Sequence, residues 1–128
     1  MPVNWAIDSP QRRVVLTISD PYTLDQWRAA VRAVVEDRDF TPGFGFLVDR
    51  RTCAAPSGEF VQRQIDFLAT VEDLRVPHRV ALVVHPDDAA AYGMARMLEI
   101  RASLGDMSIE HRIFKSIEAA NGWLDAPA

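Results

Sequence analysis

The sequence predicts an α/β fold: a mostly parallel five-stranded sheet that opens with a β-hairpin and continues as right-handed βα turns carrying four main helices. Three observations predict it. The elements read in the order β-β-α-β-α-β-α-β-α, and strands alternating with helices build parallel sheets through right-handed crossovers. The first two strands are joined by a few turn residues, too short for a crossover, so they pair antiparallel. The first and last strands alternate polar and apolar residues, whereas the middle ones are more uniformly apolar, which places the former toward the sheet edges.

Each element has its own signal. Val3, Trp5 and Ile7 alternate with Asn4, Ala6 and Asp8, a period-two strand. Ser9-Pro10-Gln11-Arg12 reads as a turn, and Val14 to Ile18 as the returning strand. Asp20-Pro21 breaks it. Thr23 then caps a helix, with Gln26 completing a capping box, and Leu24, Trp27, Val31 and Val34 form its apolar stripe to about Arg38. Thr41-Pro42-Gly43 leads into a short strand, Phe44 to Asp49. Ser57 opens a second helix bearing Phe60, Phe67, Val71 and Leu74, closed by Pro77. Val80 to Val84 is a buried central strand. Pro86 and Asp87 start a third helix with Met94, Met97, Leu98 and Leu104, ended by Gly105. Ile109, His111 and Ile113 mark a half-exposed last strand, and Ser116 caps a final helix with Ile117, Ala120, Trp123 and Leu124. Trp27 and Trp123 are the expected core anchors of the first and last helices.

Bulk composition narrows the class. The chain has 128 residues, 48% apolar and 25% charged, which fits one globular domain, 1–128, able to bury a core without disulfides or a structural metal. A net charge of −4 without a Lys/Arg block argues against nucleic acid. One cysteine, Cys53, makes no internal disulfide. The first residues lack the basic start and apolar run of a signal peptide, and no apolar stretch approaches the roughly 20 residues that span a bilayer. The expectation is a cytoplasmic protein with no integral membrane association.

Several strings resemble the SpoIIAA-like group of STAS-type domains: DRDFTPGFGFLVDRRT (37–52), HRVALVV (78–84), AYGMARMLE (91–99) and IFKSIEAANGWL (113–124). With the hairpin they cover nearly the whole chain. The resemblance implies one sheet built from right-handed βα turns and a protein-binding regulatory role of the anti-sigma-factor-antagonist kind. It also implies Ser57 as counterpart of that family's phosphorylated serine, although Pro56 stands where the switch carries an acidic residue. The lipid-binding CRAL-TRIO lobe is a more distant relative of this fold.

Ligands of parallel sheets meet the loops at the carboxyl ends of the strands. Asp49, Arg50, Arg51, Thr52, Cys53 and Ser57 follow the third strand, and His85, Asp87 and Asp88 follow the fourth. Asp49 either meets a partner or stabilises its own turn. Arg50 and Arg51 present guanidinium forks for a carboxylate or phosphate, or form a solvated pair. Ser57 serves as a phosphate acceptor at a helix start or, the preferred reading, as an N-cap. Tyr92 and Arg96 are candidates for the same edge, and Gly93 between them is expected to mark a close approach of helix to sheet. His78, His85 and His111 lack ligand spacing, so neither metal nor cofactor is expected. No GxGxxG, Walker, GxSxG, HExxH or CxxC string occurs. The leading expectation is a noncatalytic STAS-like module that binds a protein partner. The alternative is a small-molecule or lipid binder, or an enzyme, using the polar edge.

Overall fold

The sheet order is β1-β2-β3-β4-β5, with β1 (Val3–Asp8) antiparallel to β2 (Arg13–Ser19) and β3 (Gly45–Thr52), β4 (His78–Val83) and β5 (Ile109–Phe114) following in parallel. The computed structural model describes residues 2–104 and 108–127. Helices α1 (Leu24–Glu36), α2 (Gly58–Thr70) and α3 (Ala89–Leu104) connect the strands, and α4 (Ile117–Asp125) follows β5. Strands added in chain order by crossovers of one hand put every connecting helix on one face. Accordingly α1, α2 and α3 pack on the face carrying Val14, Leu16, Ile18, Phe46, Val48, Val80, Leu82 and Ile109. α4 covers the other face, where Ala120 packs with Leu47, Ala81 and Val83. Alternation along each strand divides the side chains between these layers.

The expected capping devices form. Thr23 and Gln26 make a reciprocal capping box, Ser57 accepts the Phe60 N–H, and Ser116 accepts the Ala119 N–H. Trp27 is buried against Phe67, edge to face at 5.5 Å between ring centres. Trp123 is only half-buried: α4 is short and its outer side is open, so the indole rests on Phe114 with Arg79 and Arg112 guanidinium groups over its ring.

Several boundaries differ from the sequence reading. β3 runs past Asp49 to Thr52, because β2 continues beside it to pair Ser19 with Thr52 after a register shift. Asp49, Arg50, Arg51 and Thr52 are therefore strand residues. α1 ends at Glu36, where Asp37 turns extended. α2 ends at Thr70 because Val71 adopts an extended backbone, and Leu74 sits in a separate 3-10 turn, Glu72–Arg75. α3 starts at Ala89, not Pro86: the Asp88 carboxylate accepts the Ala91 N–H, leaving Pro86 and Asp87 in the preceding turn. The expected stop at Gly105 lies outside the described residues. Gly93 marks no close approach, since a Cβ there meets nothing within 4 Å.

Candidate functional site

Extending β3 to Thr52 splits the arginines of the carboxyl edge. Successive strand residues point to opposite faces, so Asp49 and Arg51 share one side and Arg50 takes the other. Asp49 and Arg51 close on each other. Arg51 Nε donates to Asp49 Oδ1 at 3.0 Å, its Nη2 to Oδ2 at 2.9 Å, and its backbone N–H to Oδ1 at 3.1 Å. The Arg51 hydrogen bonds hold the Asp49 carboxyl below its ordinary range against the opposing effect of burial. A bidentate pair of this kind is internally satisfied.

The neighbouring candidates are engaged locally. The Cys53 thiol is buried, its pKa is raised by burial, and it donates to the Ile18 carbonyl at 3.0 Å. A thiol so placed is a poor nucleophile. Thr52 Oγ1 reaches the same carbonyl at 3.5 Å. Ser57 Oγ is occupied by the cap of α2. His85 Nδ1 accepts the Asp87 N–H at 3.1 Å. Arg51, Thr52 and His85 do meet, with Asp87 and Asp88, around a shallow depression open to solvent. Arg50, Ser57, Tyr92 and Arg96 do not line it. Tyr92 instead lies under the Lys115 ammonium, 5.1 Å from its ring centre, and Arg96 pairs with Glu99 at 2.7 Å along α3. Among the described residues no three His, Cys, Asp or Glu side chains converge as a metal site.

A partly open space lies on the face of the sheet that the connecting helices cover. A mainly apolar chamber of about 90 Å³ sits between the sheet and the connecting helices. Leu16, Ile18, Phe46, Val48, Val80 and Leu82 form its floor. Trp27 and Val31 of α1, Val61 and Leu68 of α2, and Ala91, Met94, Ala95 and Leu98 of α3 close it. Its size reflects α3: the inward residues Ala91 and Ala95, one turn apart, are too small to fill the space opposite the strands.

Four polar side chains line this chamber: Arg50, Gln64, His78 and His111. Gln64 is buried and its side-chain amide makes no hydrogen bond among the described residues. His78 Nδ1 donates to the Val76 carbonyl at 2.9 Å, which leaves Nε2 with a free lone pair. Burial lowers the His78 pKa, opposed by that hydrogen bond. His111 is on β5 where β4 Val80 pairs with it, and its buried Nδ1 has no partner among the described residues. Burial first, and the charge of His78 second, bring its pKa down to about 4. Both histidines are thus held neutral at physiological pH. The sequence does not reveal the chamber, although part of its polar lining is in view there. His111 has the same strand phase as Ile109 and Ile113, and Gln64 sits between Val61 and Leu68 on the inward stripe of α2.

Comparison of the chain with protein-family models, with curated proteins and with solved structures found no match. Among the described residues no helix is long and apolar enough to cross a membrane.

Proposed function

We propose that this chain is a noncatalytic, STAS-like regulatory module whose working part is the chamber beneath α2 and α3, where it holds a small, mainly apolar molecule. The observation that carries this reading is an apolar space of about 90 Å³ bordered by polar groups with unused hydrogen-bonding capacity. Native interiors are packed with few voids larger than water, and buried polar groups are normally bonded. The noncatalytic part is supported by the engagement of the candidate nucleophiles and carboxylate: Cys53 on Ile18, Ser57 in its cap, Asp49 on Arg51. A lone reduced cysteine suits a reducing compartment, and the cytoplasm is the proposed location.

The test is a titration with 1-butanol followed by methyl NMR. Shifts confined to Met94, Leu98, Val61 and Val80 are expected, and they should vanish in Ala95→Leu, which fills the chamber. Shifts scattered over the surface, or unchanged in Ala95→Leu, would refute the reading.

A second reading, a protein partner on α3, is favoured by the exposure of its Ile100 and Leu104 side chains, 49% and 82%. It expects a complex purified from native cells to dissociate in Leu104→Glu with the fold unchanged. A complex indifferent to that substitution would remove α3 from the interface.

A further inference from the structure

Arg50 is the charged member of the chamber wall, and its partners are all neutral. Its Nη1 donates to the Tyr22 hydroxyl at 2.8 Å, and its Nη2 reaches the Ala54 carbonyl at a long 3.5 Å. Its guanidinium also packs over the Tyr22 ring, 5.6 Å from the centre. Ion pairs form at Arg13, Arg28, Arg51, Arg63 and Arg96, but none of the described carboxylates reaches Arg50. The nearest acids on this edge are otherwise occupied. Asp49 is clamped by Arg51 on the opposite side of β3, and the Asp20 carboxylate accepts the Ala54 N–H at 2.6 Å. Arg50 is half-buried, and a guanidinium cannot shed its charge to relieve desolvation. A cation so placed, with an apolar space behind it, is complementary to an amphiphilic anion.

The size of the space restricts that anion. A cavity of about 150 Å³ accommodates benzene, roughly 25 Å³ per carbon. By that measure a chamber of about 90 Å³ takes roughly three or four carbons. A single guanidinium that no described carboxylate reaches suits a monoanion rather than a dianion. Its planar fork matches a carboxylate with two parallel hydrogen bonds. The remaining polar wall, Gln64, His78 and His111, is uncharged and offers no such counterion.

We propose that the chamber binds a short-chain monocarboxylate, its carboxylate on Arg50 beside the Tyr22 hydroxyl and its alkyl group against the sheet. This rests on the chamber reading above and names its ligand class. The carboxylate replaces the missing counterion of Arg50, and the three or four carbons replace the packing that Ala91 and Ala95 leave unmade. Longer chains exceed the space.

The experiment compares sodium pentanoate, sodium decanoate and the neutral 1-butanol, titrated into the full chain with NMR detection. Pentanoate should bind at least about tenfold more tightly than 1-butanol, and more tightly than decanoate. Arg50→Gln should abolish the preference for the carboxylate while leaving 1-butanol binding intact, and Arg50→Lys should keep part of it. The preference should hold constant from pH 6 to pH 8, because Arg50 stays charged throughout. Equal binding of acid and alcohol, or a preference that survives in Arg50→Gln, overturns the inference and leaves the chamber reading standing. Tighter carboxylate binding on acidification, lost in His111→Phe, also overturns it by moving the headgroup to the histidines. If neither pentanoate nor 1-butanol binds, both readings fall.

Discussion

Lowering the pH from 7 to 5 should destabilise the fold through His111, and replacing that residue should remove most of the effect. In the unfolded chain the imidazole titrates near its ordinary 6.5, whereas in the folded protein burial lowers its pKa to about 4. A base with a depressed folded pKa favours the folded state while it is neutral. Its contribution is complete above about pH 6.5 and is lost as the pH falls toward 4, because the unfolded chain then binds the proton that the core refuses. At about 1.36 kcal/mol per pH unit the full gap amounts to about 3 kcal/mol. Between pH 7 and pH 5 the lost part is about 2 kcal/mol. His78, also lowered by burial, acts in the same direction and adds to the slope. Asp49 does not interfere: its folded pKa lies below the ordinary 3.8, so its contribution is lost only at more acidic pH. The assay is urea unfolding at half-unit intervals from pH 7.5 to pH 5, for the wild type and for His111→Phe, which keeps a flat ring of similar bulk on β5. The wild type should lose about 2 kcal/mol or more, and the variant should keep only the part due to His78. Identical slopes in the two proteins, or an NMR titration that puts His111 near 6.5, would refute the reasoning.

Two further predictions concern helix residues. Gly93→Ala should raise stability by up to ~1 kcal/mol, because the site is helical and exposed and an added Cβ meets nothing within 4 Å; a lowered denaturant midpoint would show that the glycine has a packing role after all. Ser57→Ala should lose about 1 kcal/mol through the lost bond to the Phe60 N–H, and Ser57→Asp should be nearly neutral because Asp caps as well as Ser. Unfolding curves check both, and phosphate found on Ser57 by intact-mass analysis of protein from native cells would replace the cap reading with the switch that the STAS resemblance implies.

The sheet was legible in the sequence because its signals are local and agree. The turn at Ser9-Pro10 is too short for anything but a hairpin, and the strings Val80 to Val84 and Val14 to Ile18 are too short and too β-branched for helices. The caps at Thr23, Ser57 and Ser116 were legible for the same reason: a hydroxyl three residues before an N–H is a short-range relation. What failed was whatever depended on a neighbouring strand. Nothing in FLVDRRT says whether the strand stops at Asp49 or continues, because the answer lies in β2 running on beside it to Ser19. Once β3 continues, alternation reassigns the whole edge, joining Asp49 to Arg51 and sending Arg50 toward the helices. Gly93 misled for a related reason. A glycine inside a helix signals close packing only if its face is inward, and α3 is apolar on several sides, so its sequence does not mark the inner one.

Why the chamber persists is a question of α3 as much as of the sheet. The three connecting helices share one face, and that face carries the larger side chains, Phe46, Trp27 and Phe67 among them. A helix packed against such a layer normally fills the remaining space with Leu or Ile. On α3 Ala91 and Ala95 face it beside Met94 and Leu98, while Ile100 and Leu104 of the same helix lie on the surface. A sealed void of about 90 Å³ costs about 2 kcal/mol at ~24 cal/mol per Å³, which sets the upper bound for this partly open one. The unused hydrogen-bonding group at His111 Nδ1 adds to that cost. A core selected for stability alone would have been filled, and filling it takes one substitution. Ala95→Leu therefore separates the two explanations of the space. If the chamber is only a packing defect, the larger side chain stabilises the protein and nothing else changes. If the chamber is the site, the same substitution stabilises the empty protein and abolishes binding, the opposition expected where a site is maintained against the stability of the fold.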